Sequence, residues 1–596
     1  MVHQILTNGS PPSVGNKCEF KAYRETIKDG VPSSEQVLDP FADYGSRSDD
    51  STYALIIKRT FEHGQPKKTT LTVNSPYILK AFRDVVRSYD SVSSDFTSSL
   101  NLEGPFTMLV HYWDELDEYR RALSHVEERK HLDLLFEFMN NELKSDRDEA
   151  LNMIQRGQIA FANAWVIYRP GTVLYREFMG EPWLLVCNKA VNGTTVGNVE
   201  DVTKMCQRDV FPQENPVAIT GLQVYPRRFV PIGDSLERHL RTRGEKFLAL
   251  KDSSTVRYNG PAQWLKPPPF DFYDPSGCKF RGVWLSYTET GRVVLDRKTF
   301  GEEQRMSHTK VKRADPKPWL CPPFTLGYSL GLKKWVHLLV ENIHDAGWMP
   351  DAWDSLVLPD KEKRLLRSLV TSHQYPENPR DQTQQKGKGL VVLLHGTPGS
   401  GKTLTAEVAA EAANKALVAT SIGELNQTSR QAFEKELKKV LQYATIWQAV
   451  VLLDEADVFL EARTDNNSNR NSLVATFLKE LEYFSGIVFL TTNRVNSFDK
   501  AMKSRIHLAL GYFPPEADVR RQIWLRYLGI VPANQSAIKA DEVVDQLASV
   551  GLNGREIANA VNTACTMARF EGQPLALKHL ETVLEVRKTF DESLDG

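Results

Sequence analysis

At 596 residues the chain exceeds what one hydrophobic core serves, since domains run to ~100–200 residues, so it must divide into several folded parts. Apolar residues at 41% and charged residues at 25% exclude wholesale disorder. With 74 basic against 75 acidic residues, the net charge of -1 excludes the broad positive field that non-specific nucleic-acid binding needs, and nucleic acid is not expected as a partner.

Residues 1–50, rich in Gly, Pro, Ser and Asp, are expected to form a disordered arm. Over 51–155, alternation at Ala54-Leu-Ile-Ile-Lys and Thr70-Leu-Thr-Val leads into helical spacing at Ile78, Leu79, Phe82 and Val86. A second helical tract then runs from Glu115 to about Met153, and together they predict a mixed α/β region. Between 156 and 350, short runs such as Val173-Leu-Tyr and Trp183-Leu-Leu-Val-Cys, with the hairpin-like Gly282–Leu295, predict a β-rich domain. Nine of the eleven tryptophans precede residue 390, so this part has buried cores of its own. Residues 351–389 read as a helix and a linker, polar and Pro-containing from Thr371.

Five short apolar runs follow within 390–513, at Val391–Leu394, Leu417–Ala419, Val450–Leu453, Ile487–Leu490 and Ile506–Leu510, separated by helical patterns. Continuous apolar strands between helices predict an α/β fold with a parallel sheet buried on both faces. After Pro514 the pattern is helical, and 514–596 is expected to form a helical lid. The six cysteines, Cys18, Cys187, Cys206, Cys278, Cys321 and Cys565, form no CxxC pair, so neither a zinc site nor a disulfide framework is expected. No apolar run reaches the ~18 residues of a membrane span and the N-terminus lacks a signal-peptide pattern. A soluble intracellular protein is expected, with cytoplasm and nucleus both open.

The chemistry concentrates after residue 390. Gly396-Thr-Pro-Gly-Ser-Gly-Lys402-Thr403 fits the P-loop pattern and lies between a predicted strand and a predicted helix. Gly396, Thr397, Pro398, Gly399, Ser400, Gly401, Lys402, Thr403 and Leu404 would bind ATP, the backbone N–H groups of all but Pro398 curling around its polyphosphate. There Lys402 would neutralise the β and γ phosphates and the Thr403 hydroxyl coordinate Mg²⁺. Ala449-Val-Val-Leu-Leu-Asp454-Glu455 ends a buried strand in two carboxylates, which assigns Asp454 to Mg²⁺ and Glu455 to the polarisation of water. Asp454-Glu-Ala-Asp457 also spells a helicase signature, but the chain lacks the Ser-Ala-Thr and His-Arg-x-Gly-Arg motifs of the second helicase lobe. Asn493, at the end of Phe489-Leu-Thr-Thr-Asn-Arg, would orient the attacking water. Arg505, just before the fifth run, is placed to serve a neighbouring subunit's site. Leu552-Asn-Gly-Arg555-Glu-Ile opens a lid helix, with Asn553 and Glu556 spaced as a capping box and Arg555 facing the γ-phosphate.

These landmarks, in this order, resemble the AAA family of P-loop ATPases. Leu394–Leu525 is similar to a large fungal group of that family in Thr403-Leu-Thr-Ala-Glu, Leu452-Leu-Asp-Glu-Ala-Asp-Val-Phe-Leu-Glu, Arg470-Asn-Ser-Leu-Val, Leu481-Glu-Tyr-Phe-Ser-Gly-Ile and Phe489-Leu-Thr-Thr-Asn-Arg-Val. The likeness extends upstream to Tyr168-Arg-Pro-Gly-Thr-Val-Leu-Tyr and Trp353-Asp-Ser-Leu-Val-Leu-Pro, where the group carries an uncharacterised N-terminal domain. The resemblance implies ATP hydrolysis with Mg²⁺, a homo-oligomeric ring of six subunits, and remodelling of a protein client. One departure stands out, because threading machines of the family carry an aromatic residue in the loop after the second strand. Ser421-Ile-Gly-Glu-Leu-Asn-Gln-Thr-Ser-Arg430 has none. Two other readings stay open: a nucleotide-gated assembly module with little turnover, and an ATPase directed to nucleic acid.

Overall fold

The computed structural model describes residues 14–28, 31–36, 50–62, 65–87, 89, 96, 99–191, 194–197, 216–230, 234–266, 283–303, 317–375, 389–425, 430–457, 468–494 and 500–595. Residues 1–13, 29–30 and 37–49 of the expected arm and residues 376–388 of the expected linker lie outside these. The chain forms two compact units, residues 1–249 with 301–323, and residues 250–300 with 324–596.

In the first unit, β1 (Lys17–Lys28), β2 (Val31–Gln36), β3 (Tyr53–Glu62), β4 (Gln65–Val73) and β5 (Leu100–Glu103) form a sheet in the order β2-β1-β3-β4-β5. Over Lys17–Lys28 and Val31–Gln36, β1 and β2 correct the expectation of a disordered arm. The alternation of Cys18, Phe20 and Ala22 with charged and polar residues suits a strand, and β1 pairs in parallel with β3. Helix α1 (Pro76–Val85) is capped by Ser75, whose hydroxyl accepts from the Ile78 N–H at 3.3 Å, with Pro76 at its first position. Leu71, Phe82, Phe106 and Leu135 share the core of this sheet. A second sheet contains β6 (Val173–Phe178) and β7 (Glu181–Val191), which pair antiparallel.

The second unit contains two sheets. β8 (Ser254–Lys266), β9 (Val283–Leu295), β10 (Phe324–Ser329) and β11 (Lys334–Leu339) pair in a closed cycle. Of the hairpin expected over Gly282–Leu295, Gly282 lies outside the described residues and Val283–Leu295 is instead a single strand, paired with β8 along its length. Gly291 (φ 134°) continues the strand opposite Tyr258 where the sequence suggested a turn. The β-rich domain expected over 156–350 therefore divides: β6 and β7 belong to the first unit and β8–β11 to the second.

The parallel sheet comprises β12 (Leu390–Gly396), β13 (Leu417–Ser421), β14 (Val450–Asp454), β15 (Ile487–Thr492) and β16 (Leu508–Tyr512), in the order β13-β14-β15-β12-β16. Its side chains alternate between two cores. Val391, Leu393, Val451, Leu453, Val488 and Leu490 face one, and Val392, Leu394, Val450, Leu452, Ile487 and Phe489 the other, which is why these strands read as unbroken apolar runs. The fifth strand begins two residues later than expected. The His507 imidazole, through Nδ1 at 3.1 Å, accepts the Val391 N–H and so takes the place of a backbone rung. Helices α2 (Lys402–Ala412), α3 (Arg430–Trp447) and α4 (Ser468–Tyr483) connect the strands. After β16 come α5 (Ala517–Ile530), α6 (Ala540–Ala548), α7 (Gly554–Phe570) and α8 (Leu577–Asp595), packed around Trp524 as a separate core. Among the described residues no helix is long and apolar enough to cross a membrane.

Candidate nucleotide site

The strand order leaves the C-terminal ends of β12, β14 and β15 side by side, with the connections from β12 and β15 departing at a crossover, where open α/β sheets form crevices. A cavity of about 380 Å³ lies there. It is lined by Pro398 to Leu404, Asp454, Glu455, Thr491, Asn493 and Arg555, together with Tyr512 and residues of α5 and α7.

The loop from Gly396 to Gly401 needs its glycines. Gly396 has φ 136°, and a Cβ there would meet the Tyr512 carbonyl oxygen at 1.8 Å. That same carbonyl accepts the Thr397 N–H at 3.0 Å, and the Tyr512 hydroxyl lies 2.5 Å from Thr405 Oγ1, so β16 holds both ends of the loop. Gly401 at φ 102° is the N-cap of α2 and presents that helix's free N–H groups and positive dipole end to the cavity. Lys402 is buried, and its Nζ donates to the Gly396 and Thr397 carbonyls at 2.9 and 2.7 Å. Burial holds its ammonium below the ordinary lysine value; Asp454 and Asp457 oppose this and Arg555 adds to it.

Opposite the loop, Asp454 ends β14 beside Thr491 of β15. The Thr491 hydroxyl donates to Asp454 Oδ1 and accepts the Glu455 N–H at 3.1 Å. Glu455 is exposed and has φ 57°, an uncommon conformation for a residue with a side chain. Next along, Asp457 accepts from the Thr492 hydroxyl and, at 3.2 Å, from the Asn493 N–H. From the lid, Asn553 and Glu556 form the expected capping box, with Asn553 Oδ1 accepting the Glu556 N–H at 3.0 Å and Glu556 Oε2 accepting the Asn553 N–H at 2.7 Å. The Arg555 N–H donates to the Gly399 carbonyl at 3.1 Å, which docks the start of α7 on the loop.

The structure thus brings Lys402, Thr403, Asp454, Glu455, Asn493 and Arg555 around one cavity. It does not bring Arg505 there: its guanidinium pairs with Glu482 at 3.1 Å, and it is absent from the cavity lining. The sequence reading missed the apolar wall of Leu356, Val357, Ile523 and Tyr527 and the contributions of Thr491 and Tyr512. Leu356 and Val357 fall inside Trp353-Asp-Ser-Leu-Val-Leu-Pro, already singled out by resemblance, so a signal existed for that half of the wall. Of the loop lacking an aromatic, residues 426–429 lie outside the described residues. Leu425 is buried in the core, and Glu424 pairs with Lys333.

Residues 392–511 match the model of the ATPase family associated with various cellular activities (AAA). Among curated proteins the chain is 27% identical over 223 residues to "Fidgetin-like protein 1" of Homo sapiens, covering 36% of this chain and 32% of that protein. It is 30% identical over 244 residues to "ATP-dependent zinc metalloprotease FtsH" of Parabacteroides distasonis, covering 36% and 33% respectively. It is 35% identical over 144 residues to "Cell division control protein 48 homolog B" of Arabidopsis thaliana, covering 22% and 24%. The matches span about a third or less of these relatives.

Proposed function

From the premise that residues 392–511 form an AAA ATPase domain, we propose that this protein binds Mg-ATP, hydrolyses it, and uses the cycle within a homo-oligomeric ring to remodel a protein client. The observation that carries the reading is the convergence on one cavity of a buried lysine in a glycine loop, two carboxylates, an amide and a lid arginine. Lys402 and the N–H groups at the start of α2 bind the phosphates, and Leu356, Val357, Ile523 and Tyr527 offer an apolar wall to a flat base. The Thr403 hydroxyl and the Asp454 carboxylate are hard oxygen donors on that cavity and would hold Mg²⁺. When bound, the cation offsets phosphate charge. Glu455 takes a proton from water as the water oxygen attacks the γ-phosphorus. The bond from that phosphorus to the β–γ bridging oxygen then breaks, giving ADP and phosphate. Asn493 orients the water and Arg555 reports the γ-phosphate to the lid.

A ring role for Arg505 is supported by its position outside its own chain's cavity, where a neighbour's γ-phosphate would replace Glu482 as its partner. A protein client is supported by analogy with the relative named as an ATP-dependent zinc metalloprotease. The test is steady-state ATPase rate per subunit against protein concentration. The expected outcome is a specific rate that climbs with concentration and disappears in Arg505→Ala, with Lys402→Ala unable to bind ATP and Glu455→Gln binding without turnover. A rate independent of concentration and unaffected by Arg505→Ala overturns the ring. Equal ATP affinity in Lys402→Ala and the unaltered protein overturns the phosphate cradle.

A further inference from the structure

We infer that Thr491 is a positioning residue for the general base, acting through the turn that carries Glu455; the inference rests on the nucleotide-site reading above. Three consecutive residues at the end of β14 are tied to this one threonine across the strand pair. Asp454 Oδ1 accepts its hydroxyl proton, the Glu455 N–H donates to its Oγ1 at 3.1 Å, and the Ala456 N–H donates to its carbonyl oxygen at 2.9 Å. Thr491 is buried, whereas Glu455 is exposed to the cavity.

The arrangement answers a problem that the turn creates. Glu455 has φ 57°, an unfavourable conformation for a residue with a side chain, which persists only where its surroundings hold it. Capture of its N–H by Thr491 and of the next N–H by the same residue's carbonyl holds it. The same hydroxyl takes up one oxygen of Asp454 and so turns that carboxylate in its plane. A hydroxyl is the one small side-chain group that can accept from Glu455 and donate to Asp454 at once. Valine has the same shape and neither function. The neighbouring threonine makes a parallel bond, Thr492 to Asp457, which in turn accepts the Asn493 N–H. The two threonines of β15 therefore hold the Glu455 turn and, through Asp457, the Asn493 backbone separately.

The test compares Thr491→Val and Thr491→Ser in the full-length chain. In Thr491→Val, kcat is expected to fall by about ten-fold or more while KM for ATP and the melting temperature stay close to those of the unaltered protein, and Thr491→Ser is expected to recover most of the rate. Unchanged kcat in Thr491→Val overturns the inference. So does a loss shared by both variants in step with a lower melting temperature, because that is a packing effect. If the unaltered chain binds ATP with little turnover, the readout becomes the Mg²⁺ concentration for half-maximal binding of a fluorescent ATP. A several-fold higher requirement in Thr491→Val supports the inference and an equal one overturns it. A chain that binds no ATP, with Lys402→Ala indistinguishable from it, overturns the site reading and this inference together, whereas loss of the Thr491 effect alone leaves the site reading standing.

Discussion

His111 is buried in the first unit, where its ring nitrogens lie 2.9 Å from the Tyr89 hydroxyl and 2.9 Å from the Trp165 carbonyl. Burial is the main cause that pushes its pKa down to about 4 from 6.5, with the Arg169 charge acting in the same direction and the bond to the Trp165 carbonyl acting against it. The folded pKa lies below the unfolded one, so between these values the unfolded chain binds the extra proton and the folded chain does not. Stability contributed by neutral His111 is therefore complete above about pH 6.5 and is lost as pH falls toward about 4, a change on the order of 3 kcal/mol. Denaturant unfolding followed by tryptophan fluorescence should show this acid weakening. His111→Gln, which keeps hydrogen bonding and does not titrate, should flatten it. At the same scale, the glycines of the loop before α2 were legible because its backbone conformation demands that residue type. Thr491 was not, since a threonine at a strand end is ordinary until its partner across the sheet is known.

Among elements, α7 carries both a cap and a contact. Asn553 closes the capping box, and a Cβ on Gly399 would meet Asn553 Oδ1 at 2.6 Å, so the helix start and the glycine loop are fitted to each other. Removing the cap in Asn553→Ala should cost about 1 kcal/mol of lid stability. It should also raise KM for ATP more than it lowers kcat, because Arg555 is placed by the turn the cap stabilises. An equal KM with a lowered melting temperature would separate capping from nucleotide contact. This element was legible from Asn553 and Glu556 alone because capping is local. The Gly282–Leu295 segment was misread for the converse reason: Gly291 resembles a turn residue locally, while pairing with the distant β8 keeps it extended.

For the whole molecule, the assignment of β8–β11 to the second unit has a measurable consequence. Phe300, Leu326 and Trp335 enter the same core as Phe433, Leu437 and Trp447 of α3, the Trp447 indole donates to Asp296 at 2.7 Å, and Arg292 pairs with Glu411 of α2. Trp335→Ala should destabilise the second unit by about 3–5 kcal/mol and lower a thermal transition that, on the proposed function, added Mg-ATP is expected to raise. Phe82→Ala, in the core of the first unit, should lower a transition that Mg-ATP does not raise. A single transition shifted equally by both variants would contradict the division.

By itself the sequence determined what depends on short spans: the strand and helix periods of 390–596, the glycine loop, the paired carboxylates and the lid cap. These are written in consecutive residues because backbone geometry and local hydrogen bonding act over a turn or a strand. Tertiary structure alone decided that β1 and β2 join a sheet, that the β-rich stretch divides between two units, that Arg505 meets Glu482 outside the cavity, and that Thr491 ties Asp454 to Glu455. Each of these depends on which residues distant in sequence become neighbours, and that is set by packing and strand pairing over the whole fold.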